Sequence, residues 1–108
     1  MMNTFRVEWS RPAGKDLLNI IDYISYDSTD AAIRIFKKIK AKCETLTHSP
    51  ERGRIIPELK EYGIFSYHEL IVKPWRIIHR ISENKVYILA VIDSRRNIED
   101  ILIERFLE

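Results

Sequence analysis

The spacing of apolar residues changes along the chain, and each change marks a structural boundary. Phe5-Arg6-Val7-Glu8-Trp9 alternates apolar and charged positions, the period of a half-buried strand. From Ala13 the apolar residues recur at steps of three and four, through Leu17, Ile20 and Ile24, which predicts an amphipathic helix facing a core. Ser10 precedes it as a natural cap, and Pro12 is tolerated in its first turn. Asp27-Ser28-Thr29-Asp30 breaks the pattern, after which Ala32, Phe36, Ile39, Cys43 and Leu46 resume it as far as Pro50. Asp30 falls where a carboxylate complements a helix N-terminus. Two amphipathic helices joined by a short polar turn form a helical hairpin.

Ser49-Pro50-Glu51-Arg52-Gly53-Arg54 reads as a loop rather than an interdomain linker. Three strand-like runs follow, about 64–72, 75–82 and 86–93, separated by Lys73-Pro74 and by Glu83-Asn84-Lys85. Spacers so short allow only antiparallel neighbours, so the three make a meander. The last run is apolar on both alternating faces, which predicts a central strand covered on both sides. One helical hairpin covers one side only, and the other must be covered by the C-terminal segment or by another chain. Asn97 can cap a final helix with Asp100 three residues on. Its stripe is Ile98, Ile101, Leu102 and Phe106, and Ile103 and Leu107 widen it beyond what a lone surface helix needs. The predicted fold is α+β: an N-terminal strand, a helical hairpin packed on an antiparallel sheet with a three-strand meander, and a C-terminal helix.

A chain of 108 residues is the size of one domain, here 1–108. Its formal charge of +2 does not by itself mark a nucleic-acid binder. A single cysteine, Cys43, excludes an internal disulfide and any cysteine-based metal cluster, and it reads as a small core residue. Neither a signal peptide nor a membrane span is visible, so the expectation is a soluble, cytoplasmic protein without metal or cofactor. Arg34, Lys37, Lys38, Lys40 and Lys42 fill the outer side of the second helix as a solvated face, and His48 is a favourable cation against that helix's dipole.

Arginines and histidines are set into the strand-like runs at short intervals, as in Tyr67-His68-Glu69-Leu70, Trp75-Arg76-Ile77-Ile78-His79-Arg80 and Asp93-Ser94-Arg95-Arg96. A cation in a strand is costly to bury without an anionic partner, so this interleaving suggests a sheet face that meets phosphate or carboxylate-rich protein. Together with Val7-Glu8-Trp9-Ser10, Ala13, Asp16-Leu17, Ser49-Pro50 and Gly53-Arg54, in this order, these residues make nearly the whole chain similar to the RelE/ParE superfamily of bacterial toxins. The resemblance implies the toxin of a two-component module, neutralised by a cognate antitoxin that is acidic and partly disordered until bound. ParE-like members poison DNA gyrase as protein ligands; RelE-like members are ribosome-dependent endoribonucleases.

Cleavage through a ribose 2′-hydroxyl needs a base, an acid and cations to hold the charged phosphorane. Arg54, Arg76, Arg95 and Arg96 could supply the cations. RelE-like ribonucleases resemble one another in a pair of basic residues on the strand spanning Tyr67 to Leu70 and in a tyrosine, or a histidine–tyrosine pair, near the C-terminus. This chain has no lysine pair there and neither a tyrosine nor a histidine after Arg96. His68 and His79 are the substitutes available. A two-residue Lys73-Pro74 turn pairs Val72 with Trp75 and sets His68 opposite His79, on the face away from Arg76 and Arg80. It also places Arg80 diagonal to Glu69 as a local ion pair. Three readings follow: a ParE-like toxin whose Arg54, Trp75, Arg76, Arg80, Arg95 and Arg96 contact target or antitoxin; a ribonuclease using Arg54, His68, Arg76, His79 and Arg95 on the ribosome; or an attenuated module protein retaining antitoxin binding alone.

Overall fold

A computed structural model describes the backbone of residues 4–106 and the side chains of residues 4–105. Strand β1 (Arg6–Trp9) leads into a helical hairpin, α1 (Arg11–Ser25) and α2 (Thr29–Glu44), with a 3-10 turn at Thr45–Thr47. Then come β2 (Arg54–Ile55), a one-turn helix α3 (Pro57–Lys60), the meander β3 (His68–Val72), β4 (Trp75–Ser82) and β5 (Lys85–Asp93), and helix α4 (Ile98–Phe106). The five strands form one sheet in the order β1-β5-β4-β3-β2. The meander is antiparallel as predicted, whereas β1 joins β5 in parallel, reached by the crossover through the hairpin.

The helix starts follow from local capping. Ser10 Oγ accepts from Ala13 N–H at 3.2 Å and Ser28 Oγ from Ala31 N–H at 3.1 Å, each satisfying a donor that the first turn leaves unpaired. Asn97 does the same for Asp100 N–H at 3.1 Å.

Two cores lie on opposite faces of the sheet. Against α1 and α2, the side chains of Ala13, Leu17, Ile39, Cys43 and Leu46 pack on Leu70, Val72, Ile77, Val86, Ile88 and Val91. Burial pushes the Cys43 thiol up to about 12. On the other face, Ile98, Ile101 and Leu102 of α4 cover Ile78, Ala90, Ile92 and Ile56. The C-terminal helix is therefore the cover that the two-faced β5 requires. Phe36 differs from its predicted core position and is 37% exposed, because α2 turns it toward the outer groove of the hairpin. Ile103 is 56% exposed; the Phe106 side chain and Leu107 lie outside the described residues.

β5 serves two cores because it changes parity midway. The β4–β5 register shifts between Ile78 and His79, which pair with Ala90 and Ile88, and Leu89 is left as the extra residue of a bulge. Val86 and Ile88 thus face the hairpin, while Ala90 and Ile92 face α4. Side chains satisfy the loosened backbone: Asp16 accepts from Val91 N–H at 2.9 Å and binds Arg105 of α4 at 2.7 and 2.6 Å, and Arg105 also donates to the Leu89 carbonyl at 3.2 Å. One carboxylate so joins α1, β5 and α4 across the sheet.

Candidate functional site

Arg76 is the most engaged polar residue in the molecule's strands. The β3–β4 register places Glu69 opposite Ile78, with Arg76 one diagonal step away on the α4 face. Arg76 Nε donates to Glu69 Oε1, while Nη1 and Nη2 donate to the two oxygens of Glu58 at 2.7 and 2.8 Å. Arg54 Nε takes the other oxygen of Glu69 at 2.7 Å. The Glu69 side chain is 0% exposed and that of Arg76 8%, so each needs the other to be buried at all. The Glu58 carboxylate foremost raises the Arg76 pKa, and the Arg76 guanidinium foremost lowers that of Glu58. Glu69 binds Arg54 and Arg76 rather than the expected Arg80. Both arginines of β4 are diagonal to it, but only Arg76 is backed by α3, whereas Arg80 stays exposed opposite Tyr87.

Gly53 makes the Arg54 contact possible. Its φ is +96°, and a Cβ there would lie 2.3 Å from the Glu69 carbonyl oxygen, so only glycine lets this segment run against β3.

On the opposite face, His68 and His79 pair across the strands, as the two-residue turn requires, with ring centroids 5.6 Å apart. His79 is 0% exposed, and neither of its ring nitrogens, nor His68 Nδ1, has a hydrogen-bond partner among the described residues. Burial, and then the neighbouring His68, press the His79 pKa down to about 4; the backbone at Pro50, near the ring but outside good hydrogen-bond geometry, offsets only part of this. His79 is neutral at physiological pH, and the thickness of the sheet separates both rings from Arg76.

The remaining candidates fall elsewhere. Trp75, Arg95 and Arg96 line a cleft of about 520 Å³ with Tyr23, Ile24 and Asn19 of α1. Arg95 bonds its own Asp93 through Nε at 3.0 Å and Nη2 at 2.6 Å, which holds the Asp93 carboxyl down to about 2. The five predicted arginines therefore do not form one patch: Arg54 and Arg76 lie with α3 and α4, and Arg95 and Arg96 with α1.

A further surface lies outside the predicted set. Between α1 and α2 an apolar groove of about 660 Å³ is floored by Leu17, Leu18, Ile21 and Phe36 and edged by Arg11, Lys15 and Lys40. Lys40 is not merely solvated, since its ammonium lies over the Trp9 ring at 4.9 Å. The hint in the sequence is Leu18, one position off the predicted stripe, beside Lys15. Among the described residues no cluster of three or more His, Cys, Asp or Glu could hold a metal ion, and no helix is long and apolar enough to cross a membrane.

The molecule is thus a small mixed sheet with a basic groove, a cross-strand histidine pair and an arginine covered by carboxylates. The family model of the ParE toxin of type II toxin–antitoxin systems, parDE, matches residues 7–98, and the chain belongs to this family, within the RelE/ParE superfamily. It is 30% identical over 92 residues to the toxin RelE2 of Caulobacter vibrioides, spanning 84% of this chain and 97% of that protein. Its fold is shared with the chromosomal ParDE toxin–antitoxin system of P. aeruginosa (TM-score 0.70, 19% identity, 83% of this chain and 96% of that one). It is shared as well with the RelBE2 toxin–antitoxin complex of Mycobacterium tuberculosis (TM-score 0.61, 19% identity, 86% and 94%).

Proposed function

We propose that this ParE-family toxin is held inactive by a cognate antitoxin and, once free, inhibits DNA gyrase as a protein ligand without turning over a substrate. One observation carries the reading. The groups able to move a proton, His68 and His79, and the buried cation Arg76 lie on opposite faces of the sheet, and Arg76 has its Nε and both Nη atoms committed to carboxylates. Ribonuclease chemistry asks for base, acid and cation around one phosphate. A binding toxin asks only for surface, and the chain offers exposed Leu18, Ile33 and Phe36 beside basic residues on the hairpin, together with the Trp75, Arg95 and Arg96 cleft. An acidic antitoxin segment suits the basic edges of the groove.

The test is a supercoiling and cleavage-complex assay with purified gyrase. Loss of supercoiling or accumulation of cleaved DNA, reversed by antitoxin, is the expected result; gyrase left untouched by a protein that still arrests growth would overturn it. A second reading, ribosome-dependent RNA cleavage, is favoured by the name of the Caulobacter relative, a RelE toxin.

A further inference from the structure

We propose that Glu58 is a displaceable internal ligand: the outer edge of Arg76 is a receptor for a side-chain carboxylate of an acidic peptide segment, and α3 covers it until such a segment arrives. This rests on reading the chain as a protein held by an acidic partner, and adds which arginine receives that partner and what must leave first.

The nitrogens of Arg76 divide by direction. Nε points to Glu69, fully buried beneath it, while Nη1 and Nη2 form a fork around both oxygens of Glu58, whose side chain is 32% exposed. The exposed member of the clamp is thus bound in the paired geometry by which a guanidinium recognises any carboxylate. Two cations and two carboxylates make the cluster neutral as it stands. Withdrawing Glu58 leaves Arg54 and Arg76 against Glu69 alone, a net positive site.

The cover is slight. α3 is four residues long with no side chain capping its N-terminus. Buried Ile56 anchors it at one end and Leu59 packs on the core beneath, while Tyr62, just beyond its last turn, donates to Glu99 of α4 at 3.4 Å. Beside it lies a largely apolar pocket of about 420 Å³ lined by Leu59, Tyr62, Ile64, Tyr67, Leu102 and Ile103, with the carboxylate of Glu99 in its wall. A single fork for a carboxylate next to an apolar pocket matches a peptide in which acidic and apolar side chains adjoin. A nucleic-acid backbone would require a row of cations along successive phosphates, which the uncovered clamp does not provide.

The probe is a fluorophore-labelled ten-residue peptide of alternating glutamate and leucine, set against its glutamine–leucine counterpart and a single-stranded RNA ten-mer. Glu58→Ala should bind the glutamate peptide about tenfold more tightly than the parent chain, because the receptor no longer has to be uncovered. Glu58→Gln should move the same way, and the glutamine peptide should gain nothing. In the parent chain, saturating glutamate peptide should shift the Glu58 carboxyl resonance while the Arg76 Nε–H signal, still on Glu69, stays in place; this titration decides the matter even where a variant folds poorly. Equal affinities with an unmoved Glu58 resonance would overturn the proposal, as would a gain for RNA exceeding that for the peptide. Growth arrest is scored separately: its absence counts against the toxin reading and leaves the carboxylate exchange standing.

Discussion

The two faces of the sheet treat polar residues in opposite ways. Toward α1 and α2, the His79 imidazole is fully buried beside the ring of His68 and stays neutral. Toward α3 and α4, a guanidinium is buried just as thoroughly, but with one carboxylate beneath it and another in front. A histidine can shed its charge to enter a core, whereas an arginine cannot, so the first face needs no counter-ion and the second is built around one. The geometric consequence is separation: His68 and His79 share no surface with Arg76.

The sharpest way to break the comparison is to remove the buried cation. Arg76→Ala leaves Glu69 with Arg54 alone and should cost about 3–5 kcal/mol in urea denaturation. Replacing both partners, Glu69→Leu with Arg76→Met, should cost clearly less than the single change, since no buried charge is then left unpaired. A double variant worse than Arg76→Ala would mean that the pair stabilises in its own right.

The histidine face should announce itself through pH. The unfolded chain takes up the His79 proton near 6.5, whereas the folded chain does so only near 4. A depressed histidine pKa makes stability highest above this window and lost as pH falls through it, by about 3 kcal/mol at pH 4. His79→Leu should flatten that slope in thermal melts between pH 7 and 4. An unchanged slope would place the titration elsewhere. Asp93, lowered from 3.8 to about 2, adds its own loss below this window, and Glu58, lowered from 4.5, begins to add its own at the window's acid end.

The smallest effect belongs to Glu58→Ala. Its carboxylate is partly solvated, and its loss leaves Arg76 still bound to Glu69, so the cost should be about 1 kcal/mol or less by the same denaturation assay. A cost near that of Arg76→Ala would make α3 a structural clamp and not a cover.

Much of this arrangement is legible in the sequence. The strand-like run Trp75–Ser82, bounded by its two spacers, gives β4 at both ends, the two-residue spacer fixes the pairing of His68 with His79, and the Ile98, Ile101 and Leu102 stripe of the last helix answers the two-faced β5. The charge clamp is not legible, for three reasons. Glu58 sits on a helix too short to show periodicity. Glu69 is diagonal to both Arg76 and Arg80, and only the packing of α3 chooses between them. The bulge at Leu89, which lets β5 face two cores, depends on Asp16 and Arg105, and these are separated by 89 positions along the chain.

The separation of proton-transfer groups from the arginine clamp is tested most directly by mapping transcript ends on translating ribosomes supplied with the purified protein. The account predicts no new ends at codon-linked positions at any protein concentration that arrests growth. Discrete cuts within ribosome-bound messages, lost in Arg76→Ala or His79→Leu, would contradict it.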